Sequence, residues 1–225
     1  MSSAPVHTAG PARSCGNTSL AHRLRRDTAA LHAEVEEVAE LPGSVVTRAD
    51  YRELLTVFES VWVDLAAVPV GPVWSSHWQA LGVQPAGAEQ LDLIRADLGR
   101  PGRASASRSV RSGRSWVRQV GVGRTAAMQA RADEQLGRLY VLEGSALGRR
   151  VLAPSLVAKL GDIGVSFFLD EERHPRGWRA VQSALSTLDD EPDRQDAVVR
   201  GANTAFGVFL SHLRRRSATA GLPVG

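Results

Sequence analysis

The chain has 225 residues, of which 43% are hydrophobic and 23% are charged, a composition typical of one large globular domain. No apolar run reaches the roughly 18 residues of a membrane span, and the single cysteine, Cys15, excludes both an internal disulfide and a cysteine-cluster metal site. Seven arginines and no acidic residue lie from Arg100 to Arg124. Since the net charge of the whole chain is only +3, the rest of the chain carries a net negative charge.

The chain is divided by composition into three parts. Residues 1–16 are small and polar and lack the apolar stretch of a signal peptide, so they are interpreted as a disordered leader in a cytoplasmic protein. Residues 17–216 contain helical patterns and form the predicted domain. Residues 217–225 are expected to be a frayed tail.

The first predicted helix begins near Asn17–Ser19, where several side chains could cap it, and runs to about Glu40. Arg25, His32 and Glu36 fall on one face of it, because they are separated by two turns and by one turn. A solvated helix face is the ordinary interpretation of such a set. A ligand-binding face is the alternative.

The second predicted helix begins at Thr47, with Asp50 placed to complete a capping box. Its apolar positions recur at helical spacing: Tyr51, Leu54, Leu55, Phe58, Val61, Trp62 and Leu65. Further helices are predicted at 73–81, 88–98, 125–160, 175–188 and 194–216. No strand pattern is found, so the predicted fold is all-α, with one helical bundle around one core.

The Arg-rich segment, residues 99–124, has no helical periodicity and is predicted to be a long exposed loop. A solvated loop is the simplest interpretation. Its charge also suits an acidic electron-donor protein. Nucleic-acid binding is unlikely, since only Trp116 could stack on a base.

Two glycines interrupt the predicted helix at residues 125–160. Gly144 and Gly148 lie one turn apart on the same face, and a mid-helix glycine costs about 1 kcal/mol relative to alanine. Two such glycines allow a flat surface to press against bare backbone. Helix–helix contact is the commoner explanation, and a planar ligand is the other. Pro154, further along, is expected to kink or break the helix.

The histidines form no zinc-binding pattern, because no pair has the required spacing. His32 differs from the others. An imidazole that binds iron needs its second nitrogen held, and Glu36, one turn later, can do this directly or through water. Arg25 on the same face could meet an anionic group of a ligand.

Two stretches considered together resemble a known family. Residues 28–36, which contain His32, and residues 140–148, which contain both glycines, are similar to the biliverdin-producing haem oxygenases, in particular the bacterial type associated with bacteriophytochromes. Weaker similarity covers residues 50–65, 167–168, 177–179 and 202–213.

The resemblance implies a site for haem. His32 would bind the iron from the proximal side, and Gly144 and Gly148 would let the distal backbone approach the opposite face. Arg25 matches a basic position of the family, as does Arg179 on a later helix, so both are expected to meet the haem propionates.

Pocket walls are expected from Phe206, Phe168 and Val35, although each is equally well explained as core. Two positions depart from the family pattern. Arg149 stands where a second glycine is common, and Ser145 stands where some relatives carry an acid. Arg149 could point outward, reach a propionate or obstruct the distal pocket.

The resemblance implies an enzyme that uses O2 to cleave haem, its substrate and cofactor, into biliverdin, carbon monoxide and ferrous iron. Electrons would come from a ferredoxin- or NADPH-reductase-type donor, since no dinucleotide-binding motif is present. A bacteriophytochrome is a candidate recipient of the biliverdin. The alternatives are a non-catalytic haem-binding or sensing protein of the same fold, and a helical interaction module whose glycines only pack helices.

Overall fold

The computed structural model describes residues 19–66, 78, 80–83, 88–100, 122–161, 164–169 and 174–219. These residues are all-α, and no strand occurs among them. The helices are α1 (Leu20–Asp27), α2 (Ala29–Ala39), α3 (Arg48–Ala66), α4 (Ala88–Asp97), α5 (Val122–Leu160), α6 (Ser166–Leu169), α7 (His174–Ser186) and α8 (Pro192–Thr219).

The first predicted helix is in fact two helices, α1 and α2, which meet at Thr28. Ser19 caps α1 as expected, since its side chain accepts a hydrogen bond from the backbone N–H of His22 at 3.4 Å. Thr28 has φ −107° and ψ 0°, and its hydroxyl donates to the Leu24 carbonyl at 2.8 Å. Such a hydroxyl competes for the helical carbonyl and favours a local bend, which the apolar spacing did not indicate.

The expected capping box at the start of α3 is confirmed. The backbone N–H of Asp50 donates to the Thr47 hydroxyl at 3.2 Å, and the Asp50 carboxylate accepts from the Thr47 N–H at 2.7 Å. The predicted apolar stripe of this helix is buried throughout.

The glycine-bearing helix, α5, begins at Val122 and continues through Pro154 to Leu160, so the predicted break does not occur. Proline leaves the carbonyl four residues earlier without its helical donor. That carbonyl belongs to Arg150, which is exposed, so water can satisfy it. The turn after α5 has glycines at 161 and 164 with φ of 78° and 79°.

Other boundaries differ by a few residues. α8 begins at Pro192 instead of residue 194, which suits proline because the first helical N–H needs no partner. It ends at Thr219, inside the predicted tail. The predicted leader lies outside the described residues, as do positions 101–121 of the basic loop, positions 220–225 and most of the predicted helix at 73–81.

α8 is the central helix of the bundle, because it packs against α2, α3 and α5. It crosses α5 at two glycines. A Cβ on Gly137 would lie 1.9 Å from the Val198 carbonyl oxygen, and one on Gly201 would lie 1.8 Å from the Glu134 carbonyl oxygen. The two backbones therefore touch at this crossing. An aromatic cluster fills the adjacent core: Phe58, Trp62, Phe167, Phe168 and Phe209.

α2 and α5 both pack on α8, but in the described part of the chain no comparable interface joins α2 directly to α5. We infer from this arrangement that α2 and α5 flank a cleft whose floor is α8. Within the same described part, no helix has the length and apolar character needed to cross a membrane.

Candidate functional site

His32 projects from α2 beside the central helix. Its imidazole ring makes an edge-on contact with the Phe206 ring of α8, with ring centroids 5.7 Å apart and planes at 71°. The side chain is 58% exposed. The ring is thus supported by protein on one side and open on the other, a position from which a nitrogen can reach a ligand.

Glu36 lies one turn along α2, with its carboxylate oxygen 3.6 Å from His32 Nδ1. This distance exceeds that of a hydrogen bond, so Glu36 is within reach of the ring without holding it. A small side-chain rotation or one bridging water would connect the two groups. Nε2 is then the nitrogen left for a ligand.

Packing among the described residues does not require glycine at position 144 or 148. A Cβ on Gly148 would meet no described atom within 4 Å. A Cβ on Gly144 would meet the Trp178 ring at 3.5 and 3.9 Å, which is ordinary van der Waals distance. Within the described part of the chain, close helix–helix contact therefore does not account for this pair, and no described atom fills the space beside Gly148.

An aromatic pair lies next to Gly144. The Trp178 ring from α7 packs on Tyr140 of α5, with centroids 5.4 Å apart and planes at 41°. Burial raises the pKa of the Tyr140 phenol, and the positive charge of Arg25 acts in the opposite direction. Arg25, on α1, is therefore close enough to Tyr140 for its charge to act on the phenol.

Arg179 is exposed on α7, directly after Trp178. Because α7 packs against α1, Arg25 and Arg179 lie on neighbouring elements. The two basic residues that the sequence selected are therefore carried by neighbouring helices.

Arg149 takes none of the three positions considered from the sequence. Its side chain is buried with 6% exposure, and it donates to the Phe167 carbonyl at 2.9 Å. The guanidinium carbon lies 3.9 Å from the Phe167 ring centroid and 5.6 Å from that of Trp62. Arg149 therefore points into the core and does not obstruct the space beside Gly148.

Three further candidate residues, Ser145, Phe168 and Phe206, differ in what their side chains contact. The Ser145 hydroxyl donates to the Leu142 carbonyl at 2.7 Å, as serines within helices often do. Phe168 packs with Tyr51 and Phe58 in the core, so its core interpretation is the right one. Phe206 is 6% exposed and touches His32, so it belongs both to the core and to the site.

Sequence reasoning overlooked Tyr140 as a site residue, and it treated Trp178 mainly as a core position. The signal for Tyr140 was its position one turn before Gly144. The packing glycines, Gly137 and Gly201, were also missed. Gly201 had a signal, because it lies between Ala197 and Ala205 at four-residue spacing, a pattern typical of close helix crossings.

No cluster of metal-binding side chains competes with this site, since the described residues contain no group of three or more His, Cys, Asp or Glu side chains that could hold an ion. A single imidazole beside an open space is consistent with a metal that brings its own equatorial ligands, as iron in a porphyrin does.

The helical arrangement is that of a haem-oxygenase-like bundle. It is similar to the structure of the NO- and CO-bound haem oxygenase from Neisseria meningitidis, with a TM-score of 0.56 and 18% identity. The similarity covers 92% of this chain and 94% of that chain. No protein-family model matches the chain, and no curated protein sequence matches it. The likeness confirms the all-α, haem-oxygenase-like fold that the sequence predicted.

Proposed function

We propose that this protein is a haem oxygenase that converts haem, with O2 and external electrons, into biliverdin, carbon monoxide and ferrous iron. The observation that carries the proposal is the open space beside Gly148, together with the absence of any described contact that requires glycine at position 144. Two helix-weakening glycines persist where no described protein atom requires them. A flat ligand that packs against the bare backbone would explain why both positions are glycine.

The residues present fit a haem. His32 Nε2 would hold the iron, and Glu36, 3.6 Å from Nδ1, would orient the ring. Arg25 and Arg179 would pair with the two propionates at the Tyr140–Trp178 end of the cleft. Exposed apolar side chains on α5 beside Gly148, Leu147 and Val151, would cover part of the macrocycle.

Haem itself supplies the oxygen-binding iron and the ring that is oxidised. The protein positions the ring and controls access of water and protons. Gly148, beside which no described atom lies within 4 Å, would leave room for ordered water at the distal face. Ser145 already donates its hydroxyl proton to Leu142, so water is the better proton source at this face.

Electrons would come from a separate donor of the ferredoxin- or NADPH-reductase type. An acidic donor would complement the arginines exposed near the cleft, Arg25 and Arg179, and those of the basic loop. A bacteriophytochrome that takes up biliverdin is a candidate downstream partner, and a cytoplasmic location would suit both partners.

The first experiment is a haem titration of the wild-type protein and of His32→Ala. We expect a sharp Soret band in the wild type and a weaker, shifted band in His32→Ala, because the variant lacks the iron ligand. His22→Ala, which changes an exposed histidine on α1, is the matched control and should bind haem like the wild type. Equal binding by all three proteins would remove His32 from the site.

The second experiment distinguishes an oxygenase from a non-catalytic haem-binding protein. The haem complex is supplied with ferredoxin, ferredoxin reductase and NADPH in air. Formation of biliverdin with release of carbon monoxide is the expected result. Haem binding with bleaching but no bilin would instead support the binding or sensing protein.

A further inference from the structure

The two glycines of α5 have different surroundings. A Cβ built on Gly148 has no described neighbour within 4 Å, whereas one built on Gly144 would lie 3.5 and 3.9 Å from two atoms at the edge of the Trp178 six-membered ring. A protein side chain therefore borders one end of the bare strip of backbone. The other end is open.

The indole is held in this place from two sides. It packs on the Tyr140 ring, one turn before Gly144. Its helix, α7, is anchored in the core by Val181, Ala184 and Leu185, each with no more than 1% exposure. Trp178 is thus a fixed wall rather than a free surface side chain.

The Trp178 indole, which forms a wall beside Gly144, restricts how a flat macrocycle can bind against the backbone from Gly144 to Gly148. A macrocycle that reached over Gly144 would collide with the indole, whereas one centred towards Gly148 would meet open space. Arg25 acts on Tyr140, which packs on the indole, so the charge of Arg25 and the indole would act on the same edge of the macrocycle. Charge attracts that edge, and the indole limits how far it can advance.

We propose that Trp178 is a specificity-determining residue that sets the in-plane orientation of the bound macrocycle. This inference rests on the proposed function. The orientation decides which bridging carbon of the ring lies against the distal backbone. Trp178 therefore determines which biliverdin isomer predominates.

The test compares Trp178→Ala, Trp178→Phe and the wild type as cyanide-ligated ferric haem complexes. Proton NMR resolves the ring methyl groups, whose shifts report the in-plane orientation without requiring turnover. We expect one dominant orientation in the wild type and at least about a tenfold change in the population ratio in Trp178→Ala, equivalent to ~1.4 kcal/mol. Trp178→Phe should lie between them, since a phenyl ring fills part of the same space.

Val181→Ala is the matched control, because it removes buried volume from the same helix without changing the wall. It should keep the wild-type methyl pattern. Trp178→Phe retains an aromatic partner for Tyr140, so it tests the idea even where Trp178→Ala does not fold. The biliverdin isomers formed by each variant provide a second readout, and their ratio should change with the methyl pattern.

The outcomes distinguish the two proposals. Absence of a Soret band in the wild type overturns the proposed function and this inference with it. Normal haem binding, with an unchanged methyl pattern in the Trp178 variants, overturns only the role of Trp178. A pattern that changes equally in Val181→Ala also overturns it, because general loosening of α7 would then be the cause.

Discussion

Single glycines on α5 differ in what they do, although the sequence does not distinguish them. At Gly137 a Cβ would lie 1.9 Å from a backbone oxygen, so only glycine fits. At Gly148 nothing described lies within 4 Å, so the fold would accept a larger residue there. A glycine that costs helix stability and that packing does not require indicates a role outside folding.

Gly148→Ala should therefore stabilise the haem-free protein and impair its function. We expect an increase in the free energy of unfolding of about 0.5–1 kcal/mol, from the better helix propensity of alanine. Turnover of the haem complex should fall by about tenfold or more, because a methyl group now occupies the space beside the distal backbone. Urea denaturation and biliverdin assays measure the two effects.

A loss of stability in Gly148→Ala would show that the space is not open. Unchanged turnover would show that the bare backbone is not used. The two results are independent of each other, so the substitution tests the structural and the functional claims separately.

Arg149 shows how a residue can be misjudged from its neighbours in sequence. It follows Gly148 directly, yet it is one helical position further round and faces the core. Alanines at 146 and 153 leave room for its long side chain, and the Phe167 carbonyl accepts its hydrogen bond. Arg149, at the position where a second glycine was expected, therefore places its side chain away from the cleft.

At the scale of elements, the crossing of α5 and α8 determines the position of the site. α5 carries Gly144 and Gly148, and α8 carries Phe206, against which His32 packs. The distance between these two helices is set by backbone contact at Gly137 and Gly201. A change at the crossing is therefore expected to alter stability and the width of the cleft together.

Gly137→Ala and Gly201→Ala should each destabilise the protein by about 3 kcal/mol or more, because the added methyl group would overlap a backbone carbonyl. Gly207→Ala is the matched control on α8, since a Cβ there meets nothing within 4 Å. It should show no loss. Thermal unfolding of the three variants is the measurement, and equal Tm values would contradict the close crossing.

At the scale of the whole molecule, the core and the candidate site meet at Phe206. The aromatic cluster between α3, α6 and α8 and the α5–α8 crossing make up much of the rest of the core. α2, by contrast, packs mainly on α8, and it buries only Ala39 completely. Elements with little buried surface open most readily, so α2 is expected to be among the less stable parts.

Haem should therefore stabilise the protein by connecting α2 to α5. A ligand present at about 100 times its Kd adds ~2.7 kcal/mol to the free energy of unfolding. We expect Tm to rise with haem concentration in the wild type. Hydrogen exchange should slow most in residues 29–39. His32→Ala should show little of either effect, and an identical response in that variant would argue for non-specific haem adsorption.

The amino-acid sequence alone was sufficient for the helical class and for most helix positions, including a long helix that ends near residue 160. Apolar spacing and capping residues are local properties, so a single chain reveals them. His32, Gly144 and Gly148 were also selected from the sequence, and their roles stay predictions. The boundary at Thr28 was missed, because a hydroxyl that bonds its own helix has no periodic signal.

Only the tertiary structure decided which glycines pack helices and which face open space, and only it directed Arg149 into the core and Trp178 over Gly144. These outcomes depend on contacts between segments far apart in the chain, such as Gly201 with Glu134 and Trp178 with Gly144. The spacing of residues along one helix cannot specify which neighbour that helix will meet.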